Sequence, residues 1–494
     1  MLNVITGQSN EKASASDEKM LPLVLDLDGT LIRTDLLVEG IVTAFFKRPL
    51  ALIAALPLAL GNRAKFKHRI AAIVDIDTDS LPVNSDLVAY AEREQQKGRE
   101  IHLYTAASQS LAESVASRFG FFSSVVGSSE TVNLKSNRKR DALVERFPGG
   151  FVYAGDAHAD LSVWQASDAA ILVDTSTHVQ RAVVASGKTV EATFTTVESP
   201  LKSWRKALRL HQWAKNLLVF VPLLLSHQYF DIPVVLECVA AFFIFSVSAS
   251  GTYILNDLSD LSADRRHKIK YKRPFAAGKL NLLAGLSVSI LLIVGGLAVS
   301  TLVSAGFCVA LAAYLFVTLC YSFGLKKIPL LDVMILAILF TLRLVMGTEA
   351  SDAGYSEWLL TFSMFFFLSL SMAKRFVEVD AKSDSPDGAI SGRGYRRDDR
   401  SFISAMGQAA GVASILILVL FLRDDAFKVD IYHNKLFLWG IPVFMALFLG
   451  RLWLLATRKE LNQDPVAFAV KDQISYLLGF GLMTCMLAAI FMPG

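Results

Sequence analysis

A chain of 494 residues that is 53% hydrophobic and 19% charged is too apolar to be wholly soluble, and its formal net charge of +4 gives no ground for a nucleic-acid partner. The length admits two or three domains, and the apolar residues are unevenly spread: positions 1–200 read as soluble and 213–494 as membrane-embedded. Cys238, Cys308, Cys320 and Cys485 stand singly in apolar runs, with neither metal-ligand spacing nor a disulfide framework.

Positions 1–19 are polar, lack the apolar core of a signal peptide and are expected to be a disordered lead. A domain is expected over 20–193. Leu21–Leu25 reads as a buried parallel strand ending in Asp26-Leu27-Asp28-Gly29-Thr30. Alternation along an extended segment points Asp26 and Asp28 to one side, and Gly29 permits a sharp turn behind them. Residues 33–98 are expected to form a small helical cap. Its apolar run Leu50–Leu60, flanked by Lys47, Arg48, Arg63, Lys65 and Lys67, is too short to cross a bilayer. Either it is an ordinary packed cap helix or it dips into the membrane surface. A second strand, Glu100–Thr105, a basic helix start carrying Lys135 and Lys139, and the stretch Phe151–Asp160 with Gly155-Asp156 follow. Strand, site and helix in repetition predict a doubly wound α/β sheet with its site at the strands' carboxyl ends. A linker with Pro200 spans 194–203.

In order, these four pieces resemble the haloacid dehalogenase superfamily of phosphotransferases. The resemblance implies a Rossmann-like domain with Asp26 as the nucleophile that takes a phosphoryl group and Asp28 as general acid/base. It also implies Thr105 and Lys139 as ligands of the phosphoryl oxygens, and Asp26, Asp28, Asp156 and Asp160 around Mg²⁺. Lys135, four residues from Lys139, stays open as the motif lysine.

The second half, 204–494, holds nine apolar runs: 213–227, 233–256, 282–303, 305–323, 329–348, 356–378, 402–422, 435–456 and 473–492. Loops 257–281, 324–328, 379–401 and 457–472 carry the basic residues, whereas 349–357 is acidic or small. The bias predicts the basic loops and the N-terminal domain in the cytoplasm and the C-terminus outside. Polar side chains recur at the cytoplasmic ends of these runs: Lys215 and Asn216, Tyr321, Lys326 and Asp332, Arg343 inside a run, then Lys374 and Arg375. Ionisable groups at such depths are costly and usually functional, although terminal lysines can snorkel.

The densest stretch follows Asn256. Asp257, Asp260 and Asp264 are spaced to share one helix face, and seven Lys and Arg, among them Lys268, Lys272 and Arg273, lie between Arg265 and Lys279. Carboxylates on one stripe backed by cations suit a metal-bound phosphorylated substrate, since Mg²⁺ prefers hard oxygen ligands shared with phosphates.

This motif, with Gln212-Trp213-x-Lys215-Asn216, Tyr321-Ser322-x-Gly324-Leu325-Lys326, Ala373-Lys374-Arg375 and Asp464-Pro465-Val466, resembles the UbiA superfamily of intramembrane prenyltransferases. In detail it resembles the branch that transfers phosphoribose to a polyprenyl phosphate. The resemblance implies an all-α transmembrane bundle of nine helices in a bacterial cytoplasmic membrane. Mg²⁺ on Asp257, Asp260 and Asp264 would hold the pyrophosphate of phosphoribosyl pyrophosphate. Asn216, Asn256, Lys215, Lys268, Lys272, Arg273, Tyr321, Lys326, Arg343, Lys374 and Arg375 would bind substrate. Aromatic prenyltransferases of the superfamily carry a second aspartate cluster after the fourth helix, where this chain has Lys326, Lys327 and the single Asp332. An aromatic prenyltransferase with an unrelated phosphatase-like domain, or a transporter with a phosphatase attached, are the competing classes. Oligomerisation is left open.

Overall fold

The computed structural model describes residues 20–493 apart from 62, 130–132, 196–197, 382–393, 462–464, 466–467 and 469–471; the expected lead at 1–19, Asp464 and Val466 fall outside the described residues. The chain divides into two compact units, one of residues 1–204 with 257–285 and the other of 205–256 with 286–494. In sequence, 257–285 lies within the membrane half.

In the first unit the strands β1 (Leu23–Leu25), β2 (Ile101–Ser108), β3 (Phe122–Ser128), β4 (Val152–Gly155), β5 (Ala169–Val173) and β6 (Thr189–Phe194) form one parallel sheet in the order β3-β2-β1-β4-β5-β6. The three residues of β1 are fully buried, as expected of a central strand covered on both faces. Two cores flank the sheet, one around Leu23, Leu25, Leu103 and Val152, the other around Val24, Tyr153 and Trp164. Strand order reverses beside β1, where doubly wound sheets place their ligands.

Between β1 and β2 lie α1 (Leu36–Lys47), α2 (Pro49–Gly61), α3 (Arg63–Ile73) and α4 (Ser85–Gln96). Asp35 caps α1, its carboxylate accepting from the Leu37 and Val38 amides. The helix α2 is apolar all round. Leu52 and Ala55 reach the core, but Leu50, Ile53, Leu56 and Leu60 are between 50% and 95% exposed, so its outer face is not packed as an ordinary cap helix packs. Beyond β2, α5 (Gln109–Ala116), α6 (Asn137–Arg146), α7 (Leu161–Ala166) and α8 (Thr177–Ala185) complete the layers.

The second unit is helical. After α9 (Pro200–Ala207), the first apolar run is a 3₁₀ segment, Leu210–Phe220, followed by the five-residue α10 (Val221–Leu225). At Leu210–Leu225 the run is apolar but shorter than the long helices of this unit, with Pro222 in the first turn of α10, where proline is tolerated. Among the described residues eight helices are long and apolar enough to cross a membrane. They are carried by α11 (Ile232–Ser259), α13 (Leu282–Ser300), α14 (Ala305–Phe323), α15 (Leu331–Ser351), α16 (Glu357–Ala381), α17 (Arg400–Asp424), α18 (Gly440–Thr457) and α19 (Gln473–Phe491). The short α12 (Leu261–Arg266), between α11 and α13 in sequence, belongs to the first unit. An apolar cavity of about 480 Å³, lined by Pro222, Leu359, Phe362, Leu422 and Met445 among others, lies within this unit.

Candidate active sites

Asp26 ends β1 between its two neighbours: its amide donates to Ala154 O of β4, and β2 carries Thr105 on the other side. Gly29 follows with φ +75°, and a Cβ there would lie 2.3 Å from Asp156 Oδ2, so only glycine lets the turn close on that carboxylate. Among the described residues, Asp26, Asp156 and Asp160 are the one group of three carboxylates whose oxygens lie within 4.8 Å of one another.

Lys139 Nζ stands 2.8 Å from Asp26 Oδ2 and 3.8 Å from Asp160 Oδ1. It also donates to Tyr153 Oη at 2.9 Å, which in turn donates to Asp160 Oδ1 at 2.8 Å. Lys135 lines the same cavity but lies ahead of α6, which begins only at Asn137 after Ser136 in a left-handed turn. Thr105 is buried in β2 and its hydroxyl accepts from the Ala107 amide; Ala106, not Thr105, reaches the cavity.

Burial pushes the Asp156 carboxyl up to about 7, with Asp160 and Asp26 adding to it. Burial likewise raises Asp26, against the pull of Lys139. Asp28, whose Oδ1 accepts from the Leu36 amide at 2.9 Å, is pushed up to about 8 by burial and then by Asp35. Carboxylates driven upward together mark a site short of positive charge, and their hard oxygens suit Mg²⁺.

The aspartate motif folds differently from one continuous stripe. The helix α11 ends at Ser259 and α12 starts after Asp260, so Asp257 and Asp264 come from two helices. Arg273 joins them, Nη1 lying 2.9 Å from Asp257 Oδ1 and 2.6 Å from Asp264 Oδ2. Asp260 is half-buried, and Lys268 and Lys272 are exposed. The oxygens of Asp257, Asp260 and Asp264 are of the hard kind that Mg²⁺ takes, but the three do not gather within 4.8 Å of one another, and Arg273 is the cation that holds two of them.

Two buried polar clusters occupy the second unit. In one, Arg343 donates to Asn216 Oδ1 at 3.2 Å and to Tyr314 Oη at 3.2 Å, while Asn216 Nδ2 donates to Ser246 Oγ at 3.0 Å. In the other, Arg375 grips Asp332 through Nε and Nη2 and Glu378 through Nη1, and Tyr321 donates to Asp332 Oδ1 at 2.8 Å. Residues 217–480 match the UbiA prenyltransferase family. The chain belongs to that family. Among curated relatives of this UbiA-family protein, the uncharacterized protein y4nM of Sinorhizobium fredii is 39% identical over 462 residues, 94% of this chain and 90% of its own. Nodulation protein NoeC of Azorhizobium caulinodans is 32% identical over 57% of this chain and 92% of its own. Decaprenyl-phosphate phosphoribosyltransferase of Mycobacterium tuberculosis is 27% identical over 58% of this chain and 93% of its own. A solved digeranylgeranylglyceryl phosphate synthase aligns over 59% of this chain and 97% of its own with 18% identity and a TM-score of 0.43.

Lys215, Lys326 and Lys374 are half-buried, Lys215 within the 3₁₀ segment, Lys326 in a short 3₁₀ turn after α14 and Lys374 in the C-terminal half of α16, and Asn256 is half-buried in the last turns of α11. Tyr153, Ser246, Tyr314 and Glu378 had no sequence signal of their own; each stands inside an apolar or ordinary helical stretch and is recruited by the fold.

Proposed function

We propose that the membrane unit transfers 5-phosphoribose from phosphoribosyl pyrophosphate to a polyprenyl phosphate, and that the α/β unit removes the 5-phosphate to leave a polyprenyl-phosphoryl-ribose. The observation that favours this donor is the state of Asp332. Prenyl diphosphate held by two carboxylate clusters would need free carboxylates after α14, and the aspartate there is consumed by Arg375 and Tyr321. Similarity to the mycobacterial phosphoribosyltransferase over nearly its whole length supports the same reading.

In the transfer, the bond between the anomeric carbon and pyrophosphate breaks while the lipid phosphate oxygen closes on that carbon. The acceptor is already anionic, so no strong base is needed. Asp257, Asp260 and Asp264 would hold Mg²⁺, which would neutralise the leaving pyrophosphate. The neighbouring Arg273, Lys268 and Lys272 supply cations for the remaining phosphate charge. The cavity beside Pro222 and Leu359 offers apolar surface to a prenyl chain.

In the second reaction Asp26 Oδ attacks phosphorus, the sugar oxygen leaves, and Asp28 supplies its proton; burial keeps Asp28 protonated near neutral pH. Water then attacks the aspartyl phosphate, giving its proton back to Asp28 and releasing inorganic phosphate. Lys139 fixes Asp26 and faces the transferring group. Asp26, Asp156 and Asp160 would surround Mg²⁺, which would offset the repulsion between the attacking carboxylate and the phosphate; Asp28, held by the Leu36 amide and used as the acid, stands outside that set.

The test is mass spectrometry of the lipid made from phosphoribosyl pyrophosphate and polyprenyl phosphate by the full-length protein. Wild type should give the dephosphorylated lipid and Asp26→Asn the 5-phosphorylated one. Identical lipids from both would remove the phosphatase step; prenylation of 4-hydroxybenzoate with no use of phosphoribosyl pyrophosphate would remove the transferase assignment.

A further inference from the structure

The cavity above Asp26, about 400 Å³ in volume, is not lined by the α/β fold alone. Its far wall is Gly278, Lys279, Leu280, Asn281 and Leu282, the residues that lead into α13. Gly278 has φ +68°, and a Cβ on it would lie 2.5 Å from Arg33 O, so the wall is pressed against the segment after the nucleophile turn. A chain of polar contacts holds it there. Thr34 donates to Glu39 at 2.7 Å, Arg265 grips both Glu39 oxygens at 2.5 and 3.2 Å, and Arg265 Nε donates to Ala276 O at 3.3 Å.

The lining is mixed in charge. Asp26, Asp28, Asp156 and Asp160 with Lys139 share it with Arg33, Lys67, Lys135, Lys279 and Asp35. Lys67 donates to Ala106 O and Lys279 pairs with Glu198, whereas Arg33 Nε is buried and makes no hydrogen bond. An N–H of a guanidinium withdrawn from water without a partner calls for an anion.

We infer that this cavity takes a phosphate monoester whose alcohol carries a second phosphate linked to a membrane lipid, and that Arg33 reads the second phosphate. The inference rests on the phosphatase reading above and adds to it the residue that selects its lipid-linked substrate. The monoester enters the Asp26–Lys139 side. The second anion then lies against Arg33 and Lys279, the latter in the wall that leads into α13. A soluble sugar phosphate, having one phosphate and no lipid, uses only the Asp26–Lys139 side.

The experiment measures kcat/KM of the full-length protein in nanodiscs on three substrates: p-nitrophenyl phosphate, ribose 5-phosphate, and a short-chain polyprenyl-phosphoryl-ribose 5-phosphate. The lipid-linked substrate should be preferred over ribose 5-phosphate by at least about tenfold, the worth of one charge-assisted hydrogen bond. Arg33→Ala should collapse that preference ratio by a similar factor, and Arg33→Lys should keep most of it. Equal kcat/KM on the two ribose substrates, or an unchanged ratio in Arg33→Ala, overturns the inference while leaving the phosphatase intact. Absence of any hydrolysis that depends on Asp26, p-nitrophenyl phosphate included, overturns the phosphatase reading and the inference with it.

Discussion

Lys135 and Lys139 are four positions apart, and their spacing alone does not choose between them. Depth does: Lys139 is 3% exposed with its ammonium on Asp26, and burial, which would lower it, is outweighed by Asp26 and Asp160, so it stays charged. The motif residues at strand ends were legible because short runs such as the one before Asp26 declare both the strand and its exit. Tyr153, which ties Lys139 to Asp160, was not legible, since a tyrosine in an apolar strand reads as packing. The same holds for Arg273, one of seven cations in sequence and the one that bridges Asp257 and Asp264 in space. Asp257→Asn or Asp260→Asn should lower phosphoribosyl transfer about 100-fold or more with thermal stability kept. For Asp257 the reason is that Arg273 retains Asp264. Near-normal transfer at saturating Mg²⁺ would sink the metal assignment.

At the scale of elements, α1 does more than cap the sheet. Its N-terminal amide holds Asp28, and three residues on, Glu39 meets Arg265 of α12; the two side chains are 3% and 5% exposed. Breaking a buried pair by removing one partner costs about 3–5 kcal/mol, because the other charge stays desolvated, while replacing both is far milder. Glu39→Met should therefore loosen α1 and lower the unfolding temperature, and Glu39→Met with Arg265→Met should recover most of the loss. Hydrogen exchange at α1 and thermal unfolding read both. Equal behaviour of the single and double variants would show that the pair holds nothing. None of this pairing was visible in the sequence, where Glu39 and Arg265 are separated by more than two hundred positions of unrelated pattern. The break between α11 and α12 was equally hidden: Ser259 and Asp260 fit a helical stripe, but their short polar side chains also favour leaving one.

At the scale of the molecule, composition separated the two halves and hydropathy located eight spans, because both are sums over long windows. The first run is the shortest, and its apolar content says nothing of the 3₁₀ winding that the structure gives it. Loop charge makes a further claim that labelling can check. With the four native cysteines replaced, a cysteine at Lys97 should react with an impermeant maleimide only in inverted vesicles, and one at Asp352 only from the outside. The reverse pattern would invert the orientation.

The discontinuous first unit bears on how this protein could be taken apart. Cutting the gene after Trp204, where sequence suggests a clean joint, would discard Arg265 and the wall from Gly278 to Leu282. Glu39 would lose its cation and keep only Thr34, the cavity would open on one side, and the greasy face of α2 would go into solution with no membrane tether. Such a fragment should be poorly soluble and catalytically indiscriminate. The α/β unit is thus no detachable passenger: it borrows part of its own shape from the sequence of the membrane half.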